Sequence, residues 1–212
     1  MKIRKTDDGS STIWSDQYQE TYHSTFGAVT ESNHVFIEAG FKQVKIKPVY
    51  IFEMGFGTGL NALLTFKAAQ INHLNIVYHA IERHPVSGNL IEKFAVEPEL
   101  EQTFNKIHEI EWNKEVAISS IFTLKKIQND LTIWNPENLY HLVYFDAFSP
   151  EIQPELWAQE IFEKIYQMLF PEGIITTYCA KGIVRRNMIA AGFKVERLPG
   201  PPGKREMLRA VK

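Results

Sequence analysis

Val49-Tyr50-Ile51-Phe52-Glu53-Met54-Gly55-Phe56-Gly57-Thr58-Gly59-Leu60-Asn61 is the stretch that decides the fold. Residues 49–54 follow Pro48 as a mostly apolar run, suited to a strand buried on both faces, and glycines at 55, 57 and 59 close it. Beyond them Leu60, Leu63, Leu64 and Ala68 recur at three- and four-residue steps, the stripe a helix needs to cover a sheet. Glycines between a strand and a helix let the backbone turn tightly and approach a ligand without a Cβ in the way. Counted from Gly55, a dinucleotide fingerprint G-x-G-x-x-G/A would put its third small residue where Leu60 stands, which weakens that reading. A tight turn with no ligand is the plainer alternative.

Outward from this loop the pattern repeats. Residues 74–82 read as a second strand, Pro85 as its turn and Asn89 to Ala95 as the start of a helix. Residues 121–127 are a weaker third strand and 140–146 a fourth. Apolar residues at 157, 161, 162, 165, 168 and 169 make a helical stripe, and a fifth strand follows Pro171-Glu172-Gly173. Strands alternating with helices imply parallel βαβ units with right-handed crossovers and ligands at the carboxyl ends of the strands. Phe193–Leu198 and Glu206–Val211, joined by Pro199-Gly200-Pro201-Pro202-Gly203, predict an antiparallel pair at the edge of the sheet. Ile13 to Phe36 lacks clean periodicity and predicts helix and turn within an N-terminal arm, residues 1–45, packed on a core of residues 46–212.

The 212 residues, 44% hydrophobic and 23% charged, suit a single domain. No apolar run approaches the roughly 18 residues of a membrane span, and Met1-Lys2-Ile3-Arg4-Lys5 leads into polar residues, so the expectation is a cytoplasmic protein without a membrane partner. A lone Cys179 makes no internal disulfide and has no zinc-like spacing to other ligands; no metal is expected. The net charge of −2 argues against coating nucleic acid by bulk charge. Yet residues 181–212 carry nine Lys and Arg against two Glu, net +7, leaving −9 for the remainder. Such a segment is either a surface for an anionic ligand or a solvated basic helix and strand.

The pattern acid-x-G-x-G-x-G at Glu53 to Gly59 resembles the first motif of class I methyltransferases, whose loop wraps the methionine and ribose parts of S-adenosyl-L-methionine. That resemblance implies that Glu53 orients the amino-acid end of the methyl donor. Glu82 ends the second strand 23 residues after Gly59, where a carboxylate's two oxygens match a ribose diol; a surface acid paired with Arg83 is the alternative. Asp130 is a candidate for the adenine amino group, with Asn129 or a plain turn role equally open. Asp146-Ala147-Phe148-Ser149-Pro150 follows the fourth strand, which aims Asp146 into the crevice beside the glycine loop. A carboxylate there can accept an amine's hydrogen bond and hold its lone pair toward a sulfonium methyl, although an Asp at this point can also simply cap a turn.

Taken with Thr177-Tyr178-Cys179-Ala180-Lys181-Gly182, Val184-Arg185-Arg186, Ala191-Gly192-Phe193 and Lys204-Arg205-Glu206-Met207, these motifs resemble the methyltransferase domain of the MnmC-type tRNA wobble-uridine modification enzymes. The likeness runs from about Trp14 to Val211. It implies a Rossmann-like α/β fold with a mostly parallel seven-stranded sheet and an antiparallel C-terminal edge hairpin. It further implies methylation of 5-aminomethyl-2-thiouridine in tRNA, with Asp146 nearest the substrate amine and a donor site of Glu53, Gly55, Gly57, Gly59, Asn61, Glu82, Asp130, Asp146 and Phe148. No second glycine fingerprint stands for the flavin oxidase of the bifunctional relatives, so a separate enzyme is left to make the aminomethyl precursor and no flavin is expected. Gly200-Pro201-Pro202-Gly203 departs from the family, which has a Phe and a further basic residue there. Lys181, Arg185, Arg186, Lys204 and Arg205 are the candidate phosphate contacts. Tyr18, Tyr22 and Phe26, with Phe148, either stack on a base or pack the arm, and the histidines at 23, 34, 79, 84 and 141 read as structural or surface residues. Two alternatives remain: methyl or aminopropyl transfer to a small free amine, and a non-catalytic nucleotide- or RNA-binding module.

Overall fold

The computed structural model describes residues 1–212. The chain opens with β1 (Lys2–Lys5), β2 (Ser11–Ser15) and β3 (Glu20–Thr21), an antiparallel sheet of its own. Of the helix and turn expected from Ile13, the turn stands at residues 16–19, while strand takes the place of helix on either side of it as far as Thr21. Here Ser11, Thr12, Ile13 and Ser15 are buried, so the strand hides small polar side chains and shows no apolar alternation. Helix begins only at α1 (Ala28–Ser32) and runs on through a widened turn, Asn33–Glu38, in which the Ala39 N–H reaches the His34 carbonyl.

After β4 (Val49–Met54), α2 (Leu60–Asn72) and β5 (Ile76–Glu82) the first βαβ unit is complete, and Val49 to Met54 pair in parallel with Ile76 to Ile81. Next come α3 (Gly88–Ile91), α4 (Glu101–Glu109), β6 (Glu115–Ser119), β7 (Phe122–Gln128) and β8 (Tyr140–Phe145). Then α5 (Gln159–Gln167), β9 (Leu169–Thr177), α6 (Gly182–Ala190), β10 (Lys194–Pro199) and β11 (Glu206–Val211) close the chain. The main sheet has eight strands in the order β10-β11-β9-β8-β4-β5-β7-β6. One strand more than expected comes from β6, antiparallel to β7 at the far edge. Of its five residues only Ile118 is buried, as suits an edge strand, and its apolar run Val116-Ala117-Ile118 is too short to mark a strand. At the other edge β11 inserts antiparallel between β9 and β10.

Both faces of the sheet are covered. On one, α2 and α4 pack with Ile13, Ala28, Val35, Phe36 and Phe41 of the arm into a single cluster of buried side chains. On the other, Ile161, Phe162 and Ile165 of α5 and Val184 and Met188 of α6 cover Phe52, Val143 and Phe145. Sandwiched between sheet and arm, α2 buries nine of its thirteen residues, more than one amphipathic stripe supplies. The parallel strands β4, β5 and β8 end side by side at Met54, Glu82 and Phe145, which puts the loops after them at one carboxyl edge. No helix is long and apolar enough to cross a membrane.

Candidate active site

Gly55, Gly57 and Gly59 all take positive φ, at 89°, 50° and 71°. Gly55 is the most constrained, because a Cβ there would lie 2.5 Å from the Asp146 carbonyl oxygen. The loop is thus pressed against the end of β8 and anchored by the Asp146 N–H, which donates to the Met54 carbonyl at 3.0 Å. His108 of α4 meets the Thr58 carbonyl at 3.0 Å, and the His23 ring lies 3.3 Å from the Thr58 hydroxyl. Burial pushes the His23 imidazole down to about 4, so it is neutral at pH 7.

Beneath the loop three polar side chains form a chain. Asn61 spends both amide hydrogens, donating to Glu53 Oε1 at 2.9 Å and to Asp146 Oδ2 at 2.8 Å. Glu53 is fully buried and its Oε2 has no hydrogen-bond partner, nor has Asn61 Oδ1. Burial raises the Glu53 carboxyl well above the ordinary range; Asn61 opposes the rise and the Asp146 charge adds to it. The Asp146 carboxyl is pushed up to about 7, chiefly by burial, with Asn61 acting against it, the Glu31 charge adding to it and Lys204 opposing. Two carboxylates sharing one amide, one of them fully buried, cannot both hold a full charge cheaply.

A cleft of about 780 Å³ opens over the loop, lined by Gly55, Gly57, Asn61, Glu82, Asp130 and Asp146 among others. Glu82 accepts the Gly57 N–H at 3.1 Å and the His84 N–H at 2.8 Å, one on each oxygen. It is therefore held by the backbone; Arg83 instead pairs with Asp130 at 3.1 Å. Asp130 also accepts the Thr132 N–H and hydroxyl on its other oxygen, and its carboxyl lies below the ordinary value despite partial burial. Asp130 and Asn129 both line the cleft. The Phe148 ring forms one wall with Tyr18 at 4.4 Å and Tyr22 at 5.0 Å between centroids, so two of the arm's aromatics reach the cleft. Phe26 does not join them: it is half exposed and lies against Gly203.

A second cavity, of about 770 Å³, lies on the other side of Asp146 and shares Tyr22, His23, Asp146, Ala147 and Phe148 with the first. Its remaining wall includes Glu20, Glu31, Tyr178 and Lys204. Asp146 thus stands where two cavities meet. Glu20 and Glu31 carry no motif, and His23 belongs to this wall although the sequence pattern marks it as structural. Their only sequence signal is acid and histidine in a segment too irregular to place.

The basic candidates divide. Lys181 pairs with Glu151, and Lys204 is turned inward onto Glu31. Arg186 and Arg205 are exposed, Arg185 is half-buried, and none of the three forms an ion pair. Lys181 and Lys204 lie close enough to the buried Cys179 for both charges to act on its thiol. The carbonyl of Pro199, at the end of β10, meets the His34 ring at 2.8 Å and ties the hairpin to the arm.

Residues 92–212 match the family described as S-adenosyl-L-methionine-dependent methyltransferase. Over 92% of its length the chain is 30% identical to the tRNA 5-methylaminomethyl-2-thiouridine biosynthesis bifunctional protein MnmC of Aeromonas hydrophila, of which it covers 33%. The chain spans about a third of the length of the curated relatives it matches. The crystal structure of MnmC2 from Aquifex aeolicus superposes with a TM-score of 0.83 and 25% identity, over 99% of this chain and 69% of that one. A putative O-methyltransferase from Nostoc punctiforme shares the fold alone, at TM-score 0.52 and 15% identity over 81% of this chain and 55% of that one.

Proposed function

We propose a reaction from one premise: the chain belongs to the S-adenosyl-L-methionine-dependent methyltransferases. It transfers a methyl group to the primary amine of 5-aminomethyl-2-thiouridine at the wobble position of tRNA, giving the 5-methylaminomethyl form. The observation that carries this reading is the position of Asp146, a half-buried carboxyl with a raised pKa standing between two cavities. One cavity takes the donor and the other the modified base. The relatives named for 5-methylaminomethyl-2-thiouridine biosynthesis support the choice of amine.

The donor cleft fits S-adenosyl-L-methionine on its own chemistry. Asn61 Oδ1 is a buried acceptor without a partner on the cleft wall, which suits the ammonium of an amino acid. Glu53 holds the Asn61 amide in that orientation from behind. Glu82, fixed by two backbone N–H groups, still offers lone pairs for a ribose diol. Gly55 and Gly57 bring the loop backbone to the ligand, while Gly59 faces Phe56 and His108 and serves the turn; Asp130 faces the adenine end, and Phe148 closes the wall. Bound S-adenosyl-L-methionine supplies an electrophilic methyl on sulfonium, whose C–S bond breaks with the electron pair staying on sulfur.

An alkylamine arrives as an ammonium, with a pKa of about 10.4. Asn61 occupies Asp146 Oδ2, which leaves Oδ1 to accept the ammonium proton. Moving that proton to an ordinary aspartate costs about 9 kcal/mol at about 1.36 kcal/mol per unit; to an Asp146 near 7 it costs about 5. The freed nitrogen lone pair then forms the new N–C bond, and Asp146 later releases its proton to water. Holding the nitrogen in line with the methyl supplies the remaining rate. Arg185, Arg186 and Arg205, together with Lys181 and Lys204 once released from their carboxylates, meet tRNA phosphates. The arm and core act as one methyltransferase domain in the cytoplasm, and a separate enzyme supplies the aminomethyl precursor.

The test is labelled-methyl transfer to tRNA from cells unable to complete the wobble modification, followed by nucleoside mass spectrometry. One methyl gained on 5-aminomethyl-2-thiouridine is the expected result. Intact donor binding without transfer to tRNA, but with transfer to a small free amine, would replace the substrate.

A further inference from the structure

The second cavity already contains a cation, and it is the protein's own. Lys204 Nζ lies 3.9 Å from the centroid of the Tyr178 ring and is ion-paired with Glu31 Oε1. Both partners are anchored by the backbone. The Tyr178 hydroxyl donates to the Ala147 carbonyl at 2.9 Å, which fixes the ring, and Glu31 Oε2 accepts the Ser24 N–H at 3.0 Å, which fixes the carboxylate. The Glu31 side chain is only 10% exposed, whereas that of Lys204 is 32% exposed and sits on the loop just before β11. Glu20 and Asp146 lie close enough to act, with Glu31, on the Tyr178 hydroxyl. Three carboxylates and an aromatic face therefore surround a space that holds one lysine, and a lysine ammonium is itself an alkylammonium.

We propose that Glu31 and the face of Tyr178 form a cage for the protonated aminomethyl group of the substrate, with Lys204 seated in it as a surrogate that leaves when the substrate enters. The proposal rests on the methyl-transfer reading above and adds a recognition step to it. The cage reads the charge of the incoming group before Asp146 takes its proton, so a uridine without the aminomethyl group has nothing to exchange for Lys204. Displaced toward solvent, Lys204 gains a phosphate for the carboxylate it gives up. Glu31 is a positioning residue in this account: it holds the ammonium beside Asp146 and does not itself receive the proton.

The cage is tested by calorimetry on the full chain, using the nucleosides 5-aminomethyl-2-thiouridine and 2-thiouridine as probes. Lys204→Ala is expected to bind the aminomethyl nucleoside about tenfold more tightly than the unaltered protein while leaving 2-thiouridine unchanged. Adding Glu31→Gln, which keeps an acceptor for the Ser24 N–H, should cancel that gain. A gain in affinity cannot come from misfolding, which guards the first variant; an unchanged donor dissociation constant guards the second. On aminomethylated tRNA, Glu31→Gln alone should raise KM about tenfold and move kcat less. Equal affinities of Lys204→Ala and the unaltered protein for the aminomethyl nucleoside, or an equal gain for both nucleosides, would overturn the cage. Should the nucleosides behave as expected while no methyl reaches tRNA, the cage stands and the proposed reaction falls.

Discussion

The two cavities that meet at Asp146 are assembled in opposite ways. The floor of the cleft proposed for the donor comes largely from one continuous stretch, Met54 to Asn61, with Glu82 and Asp130 added by the ends of the next strands. The second cavity draws on residues 20–36 of the arm, Asp146 to Phe148, Tyr178 and the loop at Gly203-Lys204. Local backbone geometry determines the first: positive φ at three glycines and a strand end that cannot lie elsewhere. Tertiary packing determines the second, through His34 on Pro199 and Lys204 on Glu31. A methyl donor is the same molecule for every enzyme of this kind, and a contiguous motif can serve it. An acceptor differs from enzyme to enzyme, and its walls come from segments free to vary.

Substitutions sharpen that contrast. The largest effect is expected at the shared residue: Asp146→Asn should lower methyl transfer by about 10²-fold or more while the donor dissociation constant stays within a few fold. Gly55→Ala should act on the glycine loop and, through it, on the Asp146 backbone. Its Cβ would meet the Asp146 carbonyl at 2.5 Å, so we expect a loss of about 1–3 kcal/mol in thermal unfolding together with weakened donor binding. Glu82→Gln should weaken donor binding about tenfold and leave tRNA binding unchanged in a filter assay, because it stands only on the donor wall. Arg185→Ala, Arg186→Ala and Arg205→Ala should have the smallest effects, each reducing the slope of log affinity for tRNA against log salt by about 1 without altering donor binding.

Stability against pH carries its own sign. The folded Asp146 value of about 7 lies above the unfolded value of about 3.9, so between the two the folded state binds more protons. Stability from this group is full below the unfolded value and is lost as pH rises through the folded one. Asp146→Asn lacks that loss. It should therefore melt above the unaltered protein at pH 8, with the gap narrowing toward pH 5 in scanning calorimetry.

The geometry of the glycine-loop side could be read from sequence because its signals are local. The run Val49 to Met54, the glycines and the stripe of α2 stand in order, and β5 and β8 repeat the same apolar run. Asp146 follows β8 directly, and Glu82 closes β5. The arm could not be read that way. In β2, Ser11, Thr12 and Ser15 are buried among hydrogen bonds, so neither alternation nor apolar content marks a strand. β6 is an edge strand with exposed residues, and β9 starts at Leu169, ahead of the Pro171-Glu172-Gly173 that signals a turn, at an irregular register with β8. Glu31 is one acid among many until packing buries it beside Tyr178, and Lys204 looks like any exposed base until its partner is seen.

In the proposed reaction Asp146 takes the proton from the substrate amine at the junction of the two cavities. The pH dependence of kcat/KM for methyl transfer to aminomethylated tRNA tests it most directly, measured with the unaltered protein and with Asp146→Asn. A fall of about tenfold per pH unit below about 7, absent from the residual activity of the variant, is the predicted result. A rate that keeps rising toward the amine's own pKa near 10, and does so equally in the variant, would mean that water removes the proton and that Asp146 does not.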